Sequence, residues 1–289
     1  SFVGYESILL TVGAEAKKSK DLGLIKMLTK AMDLKEVSII AAIADPSESP
    51  LSVSNISARQ IEKELGGQEV PQLMKMVPGV YASRQGGGSG DARISLRGFQ
   101  QENIAILLNG VPVSSMENGL VYWSNWLGLA DAAATLQVQK GLGASNIAAN
   151  SVGGTVNIIT NPSAMNPGGF LKHSFTSYAT KKTSLSLNTG RNEKGFAVSF
   201  LGSRTSGPGY VDATYVDAWS WFLTMSNDLN NNHRLVFTAL GSPEHHGQNT
   251  YLMSVEEYER YGNTFNYNWG SENGKINNLT ENFYHKPYF

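Results

Sequence analysis

The chain has no cysteine among its 289 residues. That excludes a disulfide framework, a thiolate nucleophile and a cysteine-ligated metal. Charge is also scarce. Asp, Glu, Lys and Arg make up 16 % of the residues, where a soluble domain usually has about 25 %. The 23 basic and 24 acidic residues nearly cancel. A nucleic-acid-binding surface needs a positive excess, so no nucleic-acid partner is expected. No apolar run reaches the length of about 18 residues that a transmembrane helix needs. No basic leader or initiating Met opens the chain. "SFVGYESILLTV" starts directly in a strand-like pattern, as expected of a piece cut at both ends.

Glycine is plentiful, at 30 residues, and much of it marks turns. Residues 1–12 and 21–40 read as short strands around the Lys-rich turn "AEAKKSKD". "ADPSESPLSVS" at 44–54 reads as an extended linker. A helix is predicted over about 57–65, with Ser57 as N-cap and "GG" at 66–67 as its stop. A second short helix, "VPQLMKMV", carries Pro71 in its first turn and ends at Pro78-Gly79. Strands are predicted at 80–84, 93–99, 103–109, 135–141 and 153–160. Asn109-Gly110 signals a tight turn, because both residues tolerate positive φ. Residues 50–162 thus read as a small mixed α+β domain.

After "NPSAMNPGG" the pattern changes. "FLKHSFTSYA", "KTSLSLNTGR", "GFAVSFLGSR", "DAWSWFLTMS" and "HRLVFTALGS" are runs of about ten residues that alternate with period 2. In the fourth, Trp219, Trp221, Leu223 and Met225 share one face, while Ser220, Thr224 and Ser226 share the other. Short turns ("NEKG", "DLNNNH") alternate with long ones ("TSGPGYVDATYV", and the segment beyond Gly241). Two architectures fit. A soluble sandwich would bury the apolar face, whereas a membrane barrel would turn it outward. Periodicity does not choose between them. The Trp and Tyr near strand ends have the look of an interfacial girdle.

"PQLMKMVPGVYAS", "ARISLRGF", "ILLNGVPV", "LQVQKGLGAS" and "SVGGTVNIIT" occur in this order over about 90 residues. Together they closely resemble the plug domain of TonB-dependent outer-membrane receptors. Upstream, "SFVGYES" and "DLGLIKM" resemble the end of the carboxypeptidase-regulatory-like domain that precedes the plug in many Bacteroidetes receptors. The resemblance implies an α+β plug domain at 57–163, followed at 168–289 by the first five or so antiparallel strands of a transmembrane β-barrel and an extracellular loop. Residues 1–43 would be the end of the preceding domain with the TonB-box segment, and 44–56 the linker. The whole barrel would have about 22 strands around a plugged lumen. The implied function is TonB-dependent uptake of a scarce nutrient across the Gram-negative outer membrane. The alternative is a surface-exposed β-sandwich that binds or adheres.

The resemblance also gives roles to individual residues. Arg93 and Arg97 lie four apart in one predicted strand and so would share a face. In a plug, that face would meet acidic groups on the plug or barrel wall, because buried charge is costly unless paired. The plain alternative is two solvated arginines. Lys140 belongs to the same expected network. At Gln137 the family pattern is broken, since a neutral side chain cannot form an ion pair. The TonB-box segment maps to Leu34, Lys35, Glu36, Val37, Ser38, Ile39, Ile40 and Ala41. It is β-prone and followed by a flexible linker, which suits strand addition to the TonB protein. Substrate-facing plug loops would present Arg84, Gln85, Gln100, Gln101, Glu102, Tyr122, Trp123 and Trp126. Trp123 and Trp126 could equally pack the plug against the wall.

No Ser/His/Asp set or carboxylate pair supports catalysis, so no enzyme is expected. "GGGSG" at 86–90 lacks the Gly-Lys-Ser/Thr of a phosphate loop. In "PEHHGQ", adjacent histidines on a strand point apart, which makes a poor metal site. No cofactor is expected. The expected partners are the TonB protein, outer-membrane lipid, a small-molecule, glycan, peptide or metal-chelate substrate, and a surface lipoprotein.

Overall fold

The computed structural model describes residues 52–85, 89–141, 151–160, 162, 165–230 and 233–289. All of them belong to one compact unit, 44–289. Two layers make it up: an α+β body over 52–160 and a wall of long antiparallel strands after 168.

The body begins with β1 (Ser52–Ser57) and α1 (Ala58–Leu65). Ser57 caps α1 as predicted. Its hydroxyl accepts from Gln60 N–H, while the Gln60 side chain accepts from Ser57 N–H, which closes a capping box. α2 (Val70–Leu73) carries Pro71 in its first turn and continues as a 3₁₀ turn, Met74–Met76. Then come β2 (Val80–Arg84), β3 (Ala92–Leu96), β4 (Phe99–Gln100), β5 (Ile104–Leu108) and β6 (Val111–Pro112). A 3₁₀ turn at Trp123–Trp126 leads to α3 (Leu129–Ala132), β7 (Thr135–Lys140) and β8 (Gly154–Ile159). The main sheet has the order β1-β7-β8-β5-β6, and β2-β3-β4 form a second sheet. β5 and β8 are parallel, and both are buried along their length. That burial is why "IAILL" and "GTVNII" do not alternate.

Two expectations change here. Residues 52–56 are not linker: they form the edge strand β1, paired antiparallel with β7, and Ile56 enters the core. The predicted strand 93–99 is broken. Leu96 pairs with Phe99, and Arg97-Gly98 between them form a tight turn with φ of 53° and 86°. Positive φ at both central residues is the type I′ pattern, whose twist suits a two-residue hairpin. Asn109-Gly110 does the same between Leu108 and Val111, at 51° and 83°, as its residues predict.

The wall consists of β9 (Gly168–Phe175), β10 (Lys181–Asn188), β11 (Phe196–Gly207), β12 (Val216–Asn230), β13 (His233–Gly241) and β14 (Glu244–Gly247). Between β14 and the last strand lie α4 (Val255–Tyr261) and the hairpin β15 (Trp269–Glu272)–β16 (Lys275–Asn278). β17 (Glu281–Tyr284) closes the series. β13 and β14 pair with β12 in one continuous register, Trp221↔Gly241 through Val216↔His246. They are one strand, interrupted where Pro243 has no N–H to give. The wall therefore has six strands in the open order β17-β14-β12-β11-β10-β9. The five alternating runs are all present. The sixth, β17, was missed because "ENFYHKPYF" is short and carries a proline.

The two faces of the wall settle the choice between sandwich and barrel. On β12, Ala218, Ser220, Phe222, Thr224 and Ser226 are buried against the body. Trp219, on the opposite face, is 55 % exposed. On β10, Lys182, Ser184 and Ser186 are buried while Leu185 and Leu187 are exposed. Hydroxyls face in and large apolar side chains face out. A sandwich would have the reverse polarity, and a membrane barrel has this one. β12 has 15 residues, more than the 9–11 or so that cross a bilayer. At its far end the outward residues are Asp217, with His245 and Glu281 on the neighbouring strands, so this rim stands beyond the apolar band.

Candidate functional site at the boundary of body and wall

Among the described residues, an apolar patch and two charged contacts help join the layers. In the patch, Trp126 and Leu129 of the body meet Leu201, Phe222, Leu240 and Tyr288 of the wall. The Trp126 and Tyr288 ring centroids are 4.5 Å apart. Beside it, Gly128 comes so close to β12 that a Cβ would sit 2.5 Å from Ser220 Cβ. The first charged contact is an ion pair between Asp131 of α3 and Lys182 of β10, both almost fully buried.

The second contact is a cluster at the rim. Gln85 N–H donates to Asp91 C=O at 2.8 Å, which closes the loop between β2 and β3. This return places Gly90 and Asp91 against β14. Asp91 Oδ2 lies 2.9 Å from His246 Nε2 and accepts from Gln248 Nε2 at 2.9 Å. His246 Nδ1 pairs with the Glu244 carboxylate. Both ring nitrogens face acceptors, which suits an imidazolium. Gly90 N–H donates to Glu69 Oε1 at 3.1 Å. Burial works against the charge on Asp91, but the hydrogen bonds from His246 and Gln248 outweigh it and hold its carboxyl below the usual range. Burial pushes the Glu69 carboxyl above that range.

Crevices open beside these contacts. One of about 380 Å³ is lined by Gln85, Asp91, Arg93 and Tyr122 of the body and by Gln248 and Tyr284 of the wall. The Tyr122 and Tyr284 rings stack across it at 6.2 Å. Another, of about 680 Å³, is lined by Lys75 and Arg84 together with Tyr178 and Tyr210 from the connections at the rim. A third, of about 630 Å³, lies on the body alone and includes Gln85, Arg93, Gln100 and Glu102.

The expected site residues thus divide. Arg84, Gln85, Gln100, Glu102 and Tyr122 are exposed and line crevices. Gln101, Trp123 and Trp126 are buried, at 2–3 % exposure, and offer little surface to a ligand. Trp123 Nε1–H donates to Gln101 Oε1 at 2.9 Å, and Gln101 Nε2–H donates to Val121 C=O at 2.9 Å. This network is their reason for being inside, and Trp126 takes the packing role. The arginine expectation also changes. The chain reverses at Arg97, so Arg93 and Arg97 do not share a strand face. Arg97 lies against Gly79 and Gly141 of the body. The ion pairs to the wall run with the opposite polarity: acids on the body, Asp91 and Asp131, meet cations on the wall, His246 and Lys182. Lys140 sits at the end of β7 opposite Ser52 and Gly154. Gln137 is buried and donates to Asn55 Oδ1 at 3.1 Å, so a neutral pair stands there. His245 and His246 do point apart, one outward and one into the boundary. Residues 34–41 lie outside the described residues.

A family model described as the TonB-dependent receptor plug domain matches residues 45–155. Residues 45–155 are a TonB-dependent receptor plug domain. The strands after it have the fold of such a receptor's barrel wall. Among curated relatives, a vitamin B12 transporter of Vibrio vulnificus (strain CMCP6) is 26 % identical over 161 residues, covering 54 % of this chain and 26 % of that protein. A ferrienterobactin receptor of Escherichia coli (strain K12) is 27 % identical over 214 residues, covering 68 % of this chain and 26 % of that protein. The chain thus spans about a quarter of the length of these relatives. Among solved structures, the pyoverdine outer membrane receptor of Pseudomonas aeruginosa PAO1 shares the fold. It has a TM-score of 0.56 at 19 % identity, with 70 % of this chain and 29 % of that one covered. The plug's contacts with the barrel wall are therefore the ones built above, around Trp126, Gly128, Asp131 and Asp91.

Proposed function

We propose that this chain is the plug and first wall strands of a receptor that takes up a scarce nutrient across the Gram-negative outer membrane, driven by TonB. The observation that carries the reading is the polarity of the wall: outside the patch around Trp126, hydroxyls and Lys182 turn toward the plug, and Trp219, Leu185, Leu187 and Phe196 turn away, where lipid would lie. The rim with the long connections faces outward. There, Arg84, Gln85, Gln100, Glu102 and Tyr122 are the plug residues offered to a ligand. The substrate is a small molecule, glycan, peptide or metal chelate. The vitamin B12 and ferrienterobactin in the relatives' names favour the chelate. The Leu34–Ala41 segment pairs as a strand with TonB. Residues 1–43 end a carboxypeptidase-regulatory-like domain, as in receptors of Bacteroidetes, and a surface lipoprotein is a further partner.

Whole-cell uptake tests this. Cells that carry the receptor should accumulate a labelled chelate, and loss of TonB should abolish accumulation while surface binding persists. Uptake indifferent to TonB would overturn the reading.

A further inference from the structure

Four ionisable side chains meet where the β2–β3 loop returns to the wall: Glu69, Asp91, Glu244 and His246. Three are acids and one is a base, so full ionisation leaves an excess of negative charge. Burial is nearly complete for three of them, with Glu69 7 %, Glu244 1 % and His246 1 % exposed, while the Asp91 side chain is 27 % exposed. His246 is used up by Asp91 and Glu244. Glu69 is not matched in this way. Its Oε1 accepts from Gly90 N–H, but its Oε2, like Glu244 Oε2, is buried with no hydrogen-bond partner among the described residues, and Glu69 has no ion pair such as Glu244 makes with His246. Glu244 arrives at the same glycine from the other side. A Cβ on Gly90, which has φ of 91°, would sit 2.5 Å from Glu244 Oε1. Gly90 is flanked by two carboxylates, one from the plug and one from the wall.

A buried excess of charge must be neutralised or relieved. No three His, Asp or Glu groups among the described residues are placed to hold a metal ion. The cations that act on the acids are Arg84 on Glu69 and Arg93 on Asp91, and both are exposed at crevice mouths. The other titratable groups that face the cluster are the phenols Tyr122 and Tyr284, which are neutral. A proton remains. We propose that Glu69 is a protonation-controlled latch: as the acid it keeps the Gly90–Asp91 return docked on the wall, and as the carboxylate it lets that return go. Ionisation sets two carboxylates against one glycine in a site that excludes water. The relief is for the return to leave β14. Gly90 and Asp91 also line the 380 Å³ crevice, so undocking reshapes that crevice. The latch requires the contact between plug and wall. It does not depend on the transport reading, and its test does not use uptake.

The test uses the intact receptor in detergent. Hydrogen exchange at Gly90–Ala92, corrected for the intrinsic rate, should lose about tenfold of its protection as pH rises through the range in which Glu69 ionises and stays below the one in which His246 gives up its proton. In Glu69→Gln, which keeps the acceptor for Gly90 N–H but cannot ionise, protection should stay flat. Infrared spectroscopy gives a second readout. The wild type should show the C=O stretch of a buried protonated carboxyl at the acid end of this range; because Glu244 is buried beside it, the part that belongs to Glu69 is the part lost in Glu69→Gln and kept in Glu244→Gln, and it should vanish at the alkaline end. An unchanged pH slope in Glu69→Gln overturns the latch. If that variant does not fold, the absence of a titrating carboxyl band in the wild type overturns it equally.

Discussion

Lys182 of the wall and Asp131 of the plug form a salt bridge in which neither side chain is more than 9 % exposed. Taking two charges out of water costs several kcal/mol per ion, and each partner is tolerable only because the other is there. Replacing Asp131 by Asn should therefore destabilise the folded protein by about 3–5 kcal/mol, because it strands a buried ammonium. The double replacement Asp131→Leu with Lys182→Met should restore most of that loss. A double-mutant cycle by chemical denaturation in detergent checks both. A double-variant loss equal to the sum of the two single losses would rule out the pairing.

Gly128 is a point of close approach between plug and wall. Its backbone φ is ordinary, at −85°, so space rather than conformation requires glycine there. Gly128→Ala should cost about 1–3 kcal/mol through overpacking. Adding Ser220→Gly should recover it. The readout is the thermal midpoint of each variant in one detergent.

Asp91 makes docking dependent on pH in the acid range. Hydrogen bonds from His246 and Gln248 hold its folded-state pKa below the ordinary aspartate range, against the effect of burial. A carboxylate of this kind contributes stability that is present above the unfolded value and lost as pH falls through the folded one. Stability measured downward from about pH 5 should decline more steeply in the wild type than in Asp91→Asn. Parallel curves would show that Asp91 is not the group responsible.

Gln101 should behave as a structural residue. Gln101→Leu strands Trp123 Nε1–H and Val121 C=O inside the plug, at about 1–3 kcal/mol for each unsatisfied group. Ligand affinity should change only as far as folding does. Gln100→Ala, on an exposed neighbour, should leave stability within about 0.5 kcal/mol.

Energy coupling is a separate matter from ligand capture. Val37→Pro or Ile39→Pro removes a main-chain donor from the segment proposed to pair with TonB. Uptake should fall to the level of cells without TonB, while binding at the surface stays. A variant that still transports normally would place the coupling segment elsewhere.

Local chemistry made much of this fold legible. Ser57 before an amphipathic run, Pro71 in a first turn and Asn109-Gly110 each carry their own instruction, and the structure follows them. The alternating runs mark β9 to β13; β14, beyond Pro243, and β17 lie in the stretch read as a long connection. The polarity of those runs stayed ambiguous, because a period of two says which residues share a face but not which face meets water, lipid or protein. Arg97 was misread since Arg-Gly is a less recognisable turn than Asn-Gly: arginine reaches positive φ only when its surroundings enforce it. The contact residues were the hardest to foresee. Asp91, Asp131 and His246 are ordinary polar residues in sequence, and 155 positions separate Asp91 from His246. Only the packing of the plug against the wall gives them a role.

The inner face of the wall is largely a field of hydroxyls: Ser184, Ser186, Ser203, Ser220, Thr224, Ser226 and Ser242 are all buried there. A hydroxyl both gives and receives a hydrogen bond and turns freely about its C–O bond. A plug sliding past such a surface can trade one partner for the next, and water can wet the track behind it at once. An oily wall would resist separation through its whole apolar area. Apart from the patch around Trp126 and the charged contacts of Asp131 and Asp91, this lining resembles a lubricated bearing: a plug that shifted against it would exchange hydrogen bonds without exposing a large apolar area.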